Sequence, residues 1–327
     1  MNSWNGPLFI IGMPRSGTKL LRGLLNQHTN IAILTRETQI LPFWHKHWRP
    51  RWNALRTAQD FSNFYNDTTK LPFFAKAQAD SQLIFEDEWY QLCEAYGFNL
   101  QGVFEALVRY STGTAYADHI IWGDKSPSYI NCIDLIFKYF PQAKVIHIIR
   151  DVRDYCLSIN KAWNKNMYRA ATKWAESVHQ AHALHTKWPD RIYEITYEDI
   201  LTSPEYILQK ICHFLSIKYE SQMTNLSYAT ENIGDAKGKT GIVSHNLNKY
   251  KTHMPSKIQC HIESLALNSM QEIGYTPEFC STQKKMHSIA LKYYLIKDGI
   301  CLIQSFIHEF GVYRSLVYNY RYYTMKR

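Results

Sequence analysis

The chain has 327 residues, a formal net charge of +9 and a hydrophobic content of 46%, which suffices for the core of one large domain. The positive charge suits a polyanionic ligand, an acidic substrate or a membrane surface, and does not choose among them. The seven cysteines are an odd number and form no Cys-x-x-Cys pair, which argues against a disulfide framework and favours a reduced, intracellular protein.

The sequence contains no recognisable targeting or membrane segment. Seven residues precede the first predicted strand, which is too few for a signal peptide. No apolar run reaches the roughly 18 residues expected of a spanning helix. We therefore expect a cytoplasmic protein.

The first motif lies between a short apolar run and a helix. Residues 8–11 predict a buried strand, residues 12–18 a tight turn, and leucines at helical spacing after Lys19 predict an amphipathic helix. A strand, a glycine-bearing loop and a helix N-terminus bring backbone N–H groups together with the positive end of the helix dipole. Such a place binds phosphate-like anions.

This loop has the glycine spacing of a P-loop but not its lysine. A Walker A motif places lysine directly after the second glycine, whereas Thr18 follows Gly17 here and Lys19 comes one residue late. One residue turns a helical side chain by about 100°, so Lys19 is predicted to point away from the phosphates. Arg15 is the basic residue placed to enter the loop. The sequence therefore predicts an anion site without the usual Mg-nucleotide arrangement.

Strands and helices alternate along the rest of the chain. Further strands are predicted at 30–34, 120–124, 144–150 and 191–196, and helices at 39–48, 129–139, 152–163, 168–187, 204–215 and 256–272. Residues 49–118 are predicted to be a helical insertion, because helical periodicity recurs within them. The alternation predicts an α/β fold with a central parallel sheet and right-handed crossovers.

We therefore expect one P-loop-like, three-layer domain over residues 1–280, with the insertion at about 49–118. Residues 236–262 contain five lysines and no carboxylate, and their first half is predicted to be a mobile loop. A basic, tyrosine-rich helical tail is expected at 281–327, with no acidic residue after Glu309. This tail either packs on the domain or makes a peripheral contact with a membrane surface or a partner.

Charged and polar residues follow the predicted strands. Ligands of parallel sheets bind at the carboxyl ends of the strands, so these residues should gather at one edge. They are Arg15 to Thr18, Glu37, Lys125, Arg150 and Tyr197.

Four further segments accompany the first loop in a fixed order. Glu37 follows the second strand; the others are Gly123-Asp-Lys-Ser-Pro127, Arg150-Asp-Val-Arg-Asp-Tyr-Cys-Leu-Ser158 and Thr196-Tyr-Glu-Asp-Ile200. Together they resemble the sulfotransferases that use 3′-phosphoadenosine 5′-phosphosulfate (PAPS). The resemblance covers roughly residues 8–275 and is strongest for the branch with a Pro-Arg-Ser-Gly-Thr loop, which includes tyrosylprotein sulfotransferases and many bacterial enzymes.

The resemblance implies one set of residues that binds PAPS as co-substrate. The loop residues Arg15, Ser16, Gly17 and Thr18 would hold the 5′-phosphosulfate. Arg150 at the end of the fourth strand and Ser158 in the helix after it would hold the 3′-phosphate. Tyr197 of the Tyr-Glu-Asp segment would lie near the adenosine, and the late lysines Lys249 and Lys251 would close over the molecule.

The resemblance also implies catalytic roles for Glu37, Lys125 and Arg15. Lys125 would lie beside the sulfuryl group, and Glu37 matches the base of the tyrosylprotein branch once one residue is inserted. Fixed cations such as Arg15 and Lys125 can stabilise the charge that grows on the leaving phosphate oxygen, by ~3 kcal/mol per donor. A carboxylate can take the proton of the attacking hydroxyl. No metal ion is required.

Other interpretations remain open at this point. Glu37 could cap a helix, Lys125 could be a solvated loop residue, and Tyr197 could belong to the core. A P-loop kinase or NTPase is the main functional alternative, and a non-enzymatic binding module is another. The acceptor hydroxyl could belong to a carbohydrate, a glycolipid, a small alcohol or a tyrosyl phenol, with residues 45–118 lining its pocket. The sequence suggests no nucleic-acid partner and leaves the oligomeric state unset.

Overall fold

The computed structural model describes residues 4–52, 55–226, 228–231 and 235–310. Within these residues five parallel strands form one sheet, in the order β2-β3-β1-β4-β5. The strands are β1 (Leu8–Gly12), β2 (Ile31–Ile33), β3 (Ile121–Lys125), β4 (Lys144–Ile149) and β5 (Ile192–Thr196). Because β1 is central, the loop that follows it lies between the ends of β3 and β4.

Helices flank the sheet and form the insertion and the described part of the tail. They are α1 (Thr18–Leu25), α2 (Leu41–Trp52), α3 (Ala58–Thr68), α4 (Pro72–Ala79), α5 (Glu86–Tyr96), α6 (Leu100–Thr112), α7 (Ile133–Tyr139), α8 (Val152–Trp163), α9 (Met167–Lys187), α10 (Tyr197–Thr202), α11 (Pro204–Leu215), α12 (Tyr250–His253), α13 (Ser256–Glu272) and α14 (Ser288–Phe310).

The central strand β1 shows why the fold has three layers. All of its residues are buried, as expected for a strand of a parallel sheet that is covered on both faces. Phe9 and Ile11 pack into one apolar cluster, and Leu8 and Ile10 pack into a second, because successive side chains of a strand point to opposite faces. The predicted α/β fold, P-loop-like with a central parallel sheet, is confirmed.

The helical insertion contributes aromatic side chains to the apolar cluster that covers one face of the sheet. Trp44, Trp48 and Trp52 lie at i, i+4 and i+8 on α2 and pack on Phe64, while Trp44 also stacks on Trp89. This shared face packs α2 against the helices of the predicted insertion.

Several predicted helices have the observed limits, notably α8, α11 and α13. The helix expected at 129–139 is divided into a 3-10 turn, Pro127–Asn131, and α7. The division falls at Cys132, whose backbone is not helical, with φ −149° and ψ 38°. A short helix, α12, precedes α13 in the second half of 236–262 and follows the predicted loop.

The described part of the tail contains one long helix, α14, which packs against α8 and α9. Its Asp298 accepts a hydrogen bond from the backbone nitrogen of Asn166 (2.8 Å) and pairs with Arg169 (2.7 Å). Residues 311–327 of the predicted tail lie outside the described residues. None of the helices in the described ranges is both long and apolar enough to span a bilayer.

Candidate functional site

The loop between β1 and α1 is built around two glycines. A Cβ at Gly12 would lie 2.5 Å from the carbonyl oxygen of Ile148, so only glycine lets the loop approach β4 this closely. Gly17 has a φ of 91°, which favours glycine, and a Cβ there would lie 2.3 Å from the ring of Tyr197. The loop is therefore held against the ends of β4 and β5.

This loop directs polar groups to the start of α1. The first backbone N–H groups of a helix have no intrahelical partner and attract anions. The buried Ser16 hydroxyl and the buried Nε of Arg150 have no hydrogen-bond partner among the described residues. Buried polar groups are rarely left unpaired, so these two atoms fit a place where an anionic ligand supplies the missing partner.

Arg15 joins the loop to the middle of α8, the helix that follows β4. Its Nε donates to the Ser158 hydroxyl (3.3 Å), and its Nη1 pairs with Glu231 (3.1 Å). Arg150 in turn donates from Nη1 to the backbone oxygen of Arg15 (3.1 Å). The structure thus brings Arg15, Arg150 and Ser158 together.

Tyr197 lies beneath these cations rather than at the surface. The Arg150 guanidinium carbon is 4.8 Å from the centre of its ring, and Asn246 donates to its hydroxyl (2.8 Å). Burial raises the pKa of Tyr197, and the nearby Arg150 charge opposes this only in part. The neutral phenol therefore acts as a platform for Arg150 and the loop.

A cleft of about 460 Å³ opens beside this cluster, within the range of about 300–1,000 Å³ that is usual for ligand sites. A narrow cavity of about 30 Å³ adjoins it and shares Arg15, Arg150 and Asn246 with it. The residues that line the larger cleft are Arg15, Arg150, Asp154, Leu157, Ser158, Asn160, Lys161, Asp235, Asn246, Lys249 and His253.

The two late lysines have different positions. Lys249 lines the cleft and pairs with Asp235, which also pairs with Lys161. Lys251 is 55% exposed, lies 3.9 Å from Glu278 and lines neither cavity. The structure brings Lys249 to the site but does not bring Lys251 there.

On the other side of the loop, Glu37 and Lys125 form a close ion pair. Lys125 Nζ donates to Glu37 Oε1 (2.6 Å), and Gln39 donates to the second oxygen (2.7 Å). Burial lowers the pKa of Lys125, against the attraction of Glu37. Burial alone would raise the pKa of Glu37, but the charge and hydrogen bonds of Lys125 and Gln39 bring it below its ordinary value. Glu37 is therefore an ionised carboxylate at neutral pH.

Asp124 connects the segment that contains Glu37 with the segment that contains Lys125. It accepts hydrogen bonds from the hydroxyls of Thr38 (2.8 Å) and Ser126 (2.9 Å). Burial raises its pKa to about 6, although both hydroxyls and Lys125 pull the pKa down. Since Thr38 follows Glu37 and Ser126 follows Lys125, these bonds fix the two backbones next to each other.

The sheet order explains why the site has two halves. Glu37 and Lys125 follow β2 and β3, while Arg150 and Tyr197 follow β4 and β5, and the β1 loop lies between them. Neither Glu37 nor Lys125 lines the cleft of the other half. The side-chain cluster expected at one sheet edge is thus present, divided by the loop.

Two cations of α1 belong to this region. The Arg22 guanidinium donates to the backbone oxygen of Thr35 (2.5 Å), and burial lowers its pKa while the charges of Glu231 and Glu37 oppose the shift. The charge of Lys19 contributes to lowering the pKa of Lys125. Lys19 was predicted to point away from the phosphates. In the structure its positive charge acts on the Lys125 ammonium.

Sequence reasoning missed several residues of the site. Arg22 lies four residues after Thr18, and this helical spacing was the signal that could have revealed it. Glu231, Asp235 and Asn246 come from irregular segments, where spacing carries no such information. No group of three or more potential metal ligands occurs within the described ranges.

The fold and this arrangement define a P-loop-like α/β domain whose β1–α1 loop has groups suited to bind an anion. A model of the sulfotransferase family matches residues 7–221, about two thirds of the chain. The chain therefore belongs to the sulfotransferase family.

Individual relatives are distant. Protein-tyrosine sulfotransferase 1 of Danio rerio is 23% identical over 238 residues, which are 71% of this chain and 58% of that protein. Among solved structures, the sulfotransferase domain of the curacin biosynthetic pathway superposes with a TM-score of 0.54 at 19% identity, covering 84% of this chain and 100% of the domain. The sulfotransferase domain of the Synechococcus PCC 7002 olefin synthase gives 0.53 at 23% identity, covering 82% and 95%. These two similarities support the fold alone.

Proposed function

We propose that the protein transfers the sulfuryl group of PAPS to a hydroxyl acceptor by in-line displacement. The observation that carries the proposal is the pair of anion-binding places linked by Arg15. One is the β1 loop, where the Ser16 hydroxyl has no hydrogen-bond partner within the described ranges, and the other is formed by Arg150 and Ser158 at the cleft of about 460 Å³. PAPS carries two separate anionic groups, a 5′-phosphosulfate and a 3′-phosphate, whereas a nucleoside triphosphate carries one continuous chain.

The donor would be held by residues on both sides of Arg15. Ser16, Gly17, Thr18 and Arg15 would bind the 5′-phosphosulfate, since the loop combines backbone donors, a hydroxyl and a cation. Arg150 and Ser158 would bind the 3′-phosphate, with Tyr197 supporting Arg150 and lying near the adenosine. Lys249 would close over the nucleotide. The same role for Lys251 would require it to leave Glu278.

The carboxylates of Glu231 and Asp235 now pair with cations of this half, Arg15 and Lys249. Phosphate oxygens are stronger partners for fixed cations, because they carry more charge and more acceptor sites. Donor binding would therefore exchange these carboxylates for phosphate oxygens.

The chemistry would take place on the Glu37–Lys125 side of the loop. As the acceptor oxygen bonds to sulfur, the bond from sulfur to the leaving phosphate oxygen breaks, and the released nucleotide is adenosine 3′,5′-bisphosphate. Lys125 and Arg15 would stabilise the charge on that oxygen. Glu37 would take the acceptor's proton, which its lowered pKa permits because the carboxylate is ionised.

The proposal covers four classes of hydroxyl acceptor. A tyrosyl phenol, a carbohydrate, a glycolipid and a small alcohol are all hydroxyl acceptors, and the tyrosine sulfotransferase named among the relatives favours the first at only 23% identity. The charge of Lys76 on α4 contributes to the lowered pKa of Glu37, which indicates that the insertion lies close to this carboxylate. Residues of the insertion would therefore contact the acceptor.

The proposal is tested by calorimetric titration of the protein with adenosine 3′,5′-bisphosphate in EDTA. We expect tight binding without magnesium, and much weaker binding of ADP, which lacks the 3′-phosphate. Absence of bisphosphate binding would overturn the proposal. ATP or GTP turnover that disappears on adding EDTA would favour the P-loop kinase or NTPase instead.

A further inference from the structure

The helix α14 has two faces of different character. Its Asp298 is 3% exposed and is fixed by Asn166 and Arg169 at the start of α9. The other side of the helix carries large apolar side chains with no covering element among the described residues. Their exposed fractions are 71% for Ile289, 61% for Tyr293, 67% for Ile296, 53% for Ile300 and 36% for Ile303.

These five side chains form one stripe, called here the α14 stripe. At about 100° per residue, they fall within an arc of about 80° that is centred directly opposite Asp298. A helix that is apolar on a second side needs a second apolar environment, and contiguous exposed apolar surface marks an interaction site. Packing against α8 and α9 therefore accounts for only one side of α14.

Lysines border the α14 stripe. On the same helical projection, Lys292 lies just beyond one edge of the stripe and Lys297 beyond the other. Both are exposed, as are Lys284 and Lys285 before the helix. Over residues 288–304 the single carboxylate is Asp298, which is buried and paired with Arg169. The exposed charge of this part of the helix is therefore entirely positive.

The sequence beyond the described residues continues the same composition. Residues 311–327 contain four basic residues, five tyrosines and no carboxylate. Tyrosine, lysine and arginine are the residues that favour the boundary between lipid headgroups and acyl chains. A second copy of the chain would bring lysines of the same sign to both borders of the stripe, whereas an anionic surface complements them.

We propose that the α14 stripe docks on the surface of an anionic lipid bilayer. The helix would lie in the plane of the interface, with its isoleucines among the acyl chains and Lys292 and Lys297 at the headgroups. The protein would then be a peripheral membrane protein with α14 as its contact. This inference does not depend on the proposed reaction, since its observations lie outside the nucleotide site.

The test is sedimentation of the full chain with vesicles of phosphatidylcholine alone and of phosphatidylcholine mixed with phosphatidylglycerol. We expect binding to the mixed vesicles that weakens as salt rises, and little binding to phosphatidylcholine alone. The double change Ile296→Asn with Ile300→Asn should weaken binding by about tenfold or more, because two isoleucines lose their apolar environment. The control Tyr206→Ser changes an equally exposed side chain, 57% on α11, and should leave binding unchanged.

A second pair of changes, Lys292→Gln with Lys297→Gln, tests the same surface without altering its apolar side chains. It should weaken binding to mixed vesicles by a similar factor and flatten the salt dependence. Absence of binding to mixed vesicles, or binding that neither pair of changes weakens, would overturn the proposal. So would light scattering that shows a dimer which the isoleucine changes convert to monomer, because a second copy would then cover the stripe.

Discussion

Replacing Glu37 by glutamine separates the proposed base from the donor-binding residues. Glutamine keeps the shape of the side chain, and its oxygen can still accept the hydrogen bond that Lys125 now donates at 2.6 Å. It cannot take a proton. A positioned general base contributes typically about 10²–10⁴-fold to a rate, so we expect kcat to fall by that factor. Affinity for adenosine 3′,5′-bisphosphate should be unchanged or higher, because Lys125 loses a competing negative charge.

The change also affects stability, and the magnitude follows from burial. Lys125 is 1% exposed and loses its counterion, while Glu37 keeps 27% of its side-chain exposure. Breaking a fully buried ion pair costs about 3–5 kcal/mol. The partial exposure of Glu37 and the retained hydrogen bond place the expected loss below that range. Urea unfolding of the variant will establish that it is folded under assay conditions.

The assay is single-turnover transfer of labelled sulfuryl from PAPS, with Glu205→Gln on an exposed face of α11 as the matched control. The control should retain the wild-type rate. In the wild type, the acid limb of kcat should lie below the ordinary glutamate pKa of 4.5, because Glu37 must be ionised and its pKa is lowered. A folded Glu37→Gln variant with kcat within about twofold of wild type would refute the assignment of the base.

Three further predictions concern the nucleotide half of the site and its support. Arg150→Ala should weaken adenosine 3′,5′-bisphosphate binding by roughly tenfold to a hundredfold and ADP binding much less, because a charged hydrogen bond to the 3′-phosphate is lost; calorimetry measures both. Glu231→Gln should tighten bisphosphate binding by roughly fivefold, since Arg15 loses a competing carboxylate. Glu198→Gln should flatten the pH dependence of unfolding, because burial raises the pKa of Glu198 to about 7.

The sign of the Glu198 effect follows from its raised pKa. The folded state binds a proton more tightly than the unfolded state, so this group stabilises the fold at low pH and loses that contribution as pH rises from 4.5 towards 7. The difference amounts to roughly 3 kcal/mol by the shift in pKa. Denaturant titrations across that range measure it. A variant with the same pH slope as wild type would contradict the assignment.

Controls for the binding predictions come from the same chain. Arg49→Ala removes an exposed arginine from α2 and should leave both nucleotide affinities unchanged. If Arg150→Ala weakened ADP and the bisphosphate equally, Arg150 would not recognise the 3′-phosphate. If Glu231→Gln weakened binding, its carboxylate would be a part of the site rather than a competitor.

The sheet and its strand ends were predictable because the signal is local. The run at Leu8–Gly12 is apolar throughout, and Lys144–Ile149 is apolar except for Lys144 and His147, as expected of strands buried on both faces. Once a parallel sheet is predicted, the strand-end rule places Glu37, Lys125, Arg150 and Tyr197 at one edge. The family match over residues 7–221 includes all four of these strand ends.

The parts that were not predictable depend on tertiary contacts. The tryptophans of α2 contact Phe64 and Trp89, partners that helical spacing alone does not identify. Glu231 reaches Arg15 across 216 positions of sequence, so no motif reports it. The roles assigned to the site residues, the cytoplasmic location and the acceptor class stay predictions.

The central claim is tested most directly by incubating the protein with sulfur-labelled PAPS in EDTA together with glycans, lipids and peptides that carry free hydroxyl groups. The account predicts that wild-type protein transfers label to at least one of these classes, and that Glu37→Gln protein, folded and still able to bind the nucleotide, does not. Failure of label transfer to every class, together with magnesium-dependent phosphoryl transfer from labelled ATP, would contradict it.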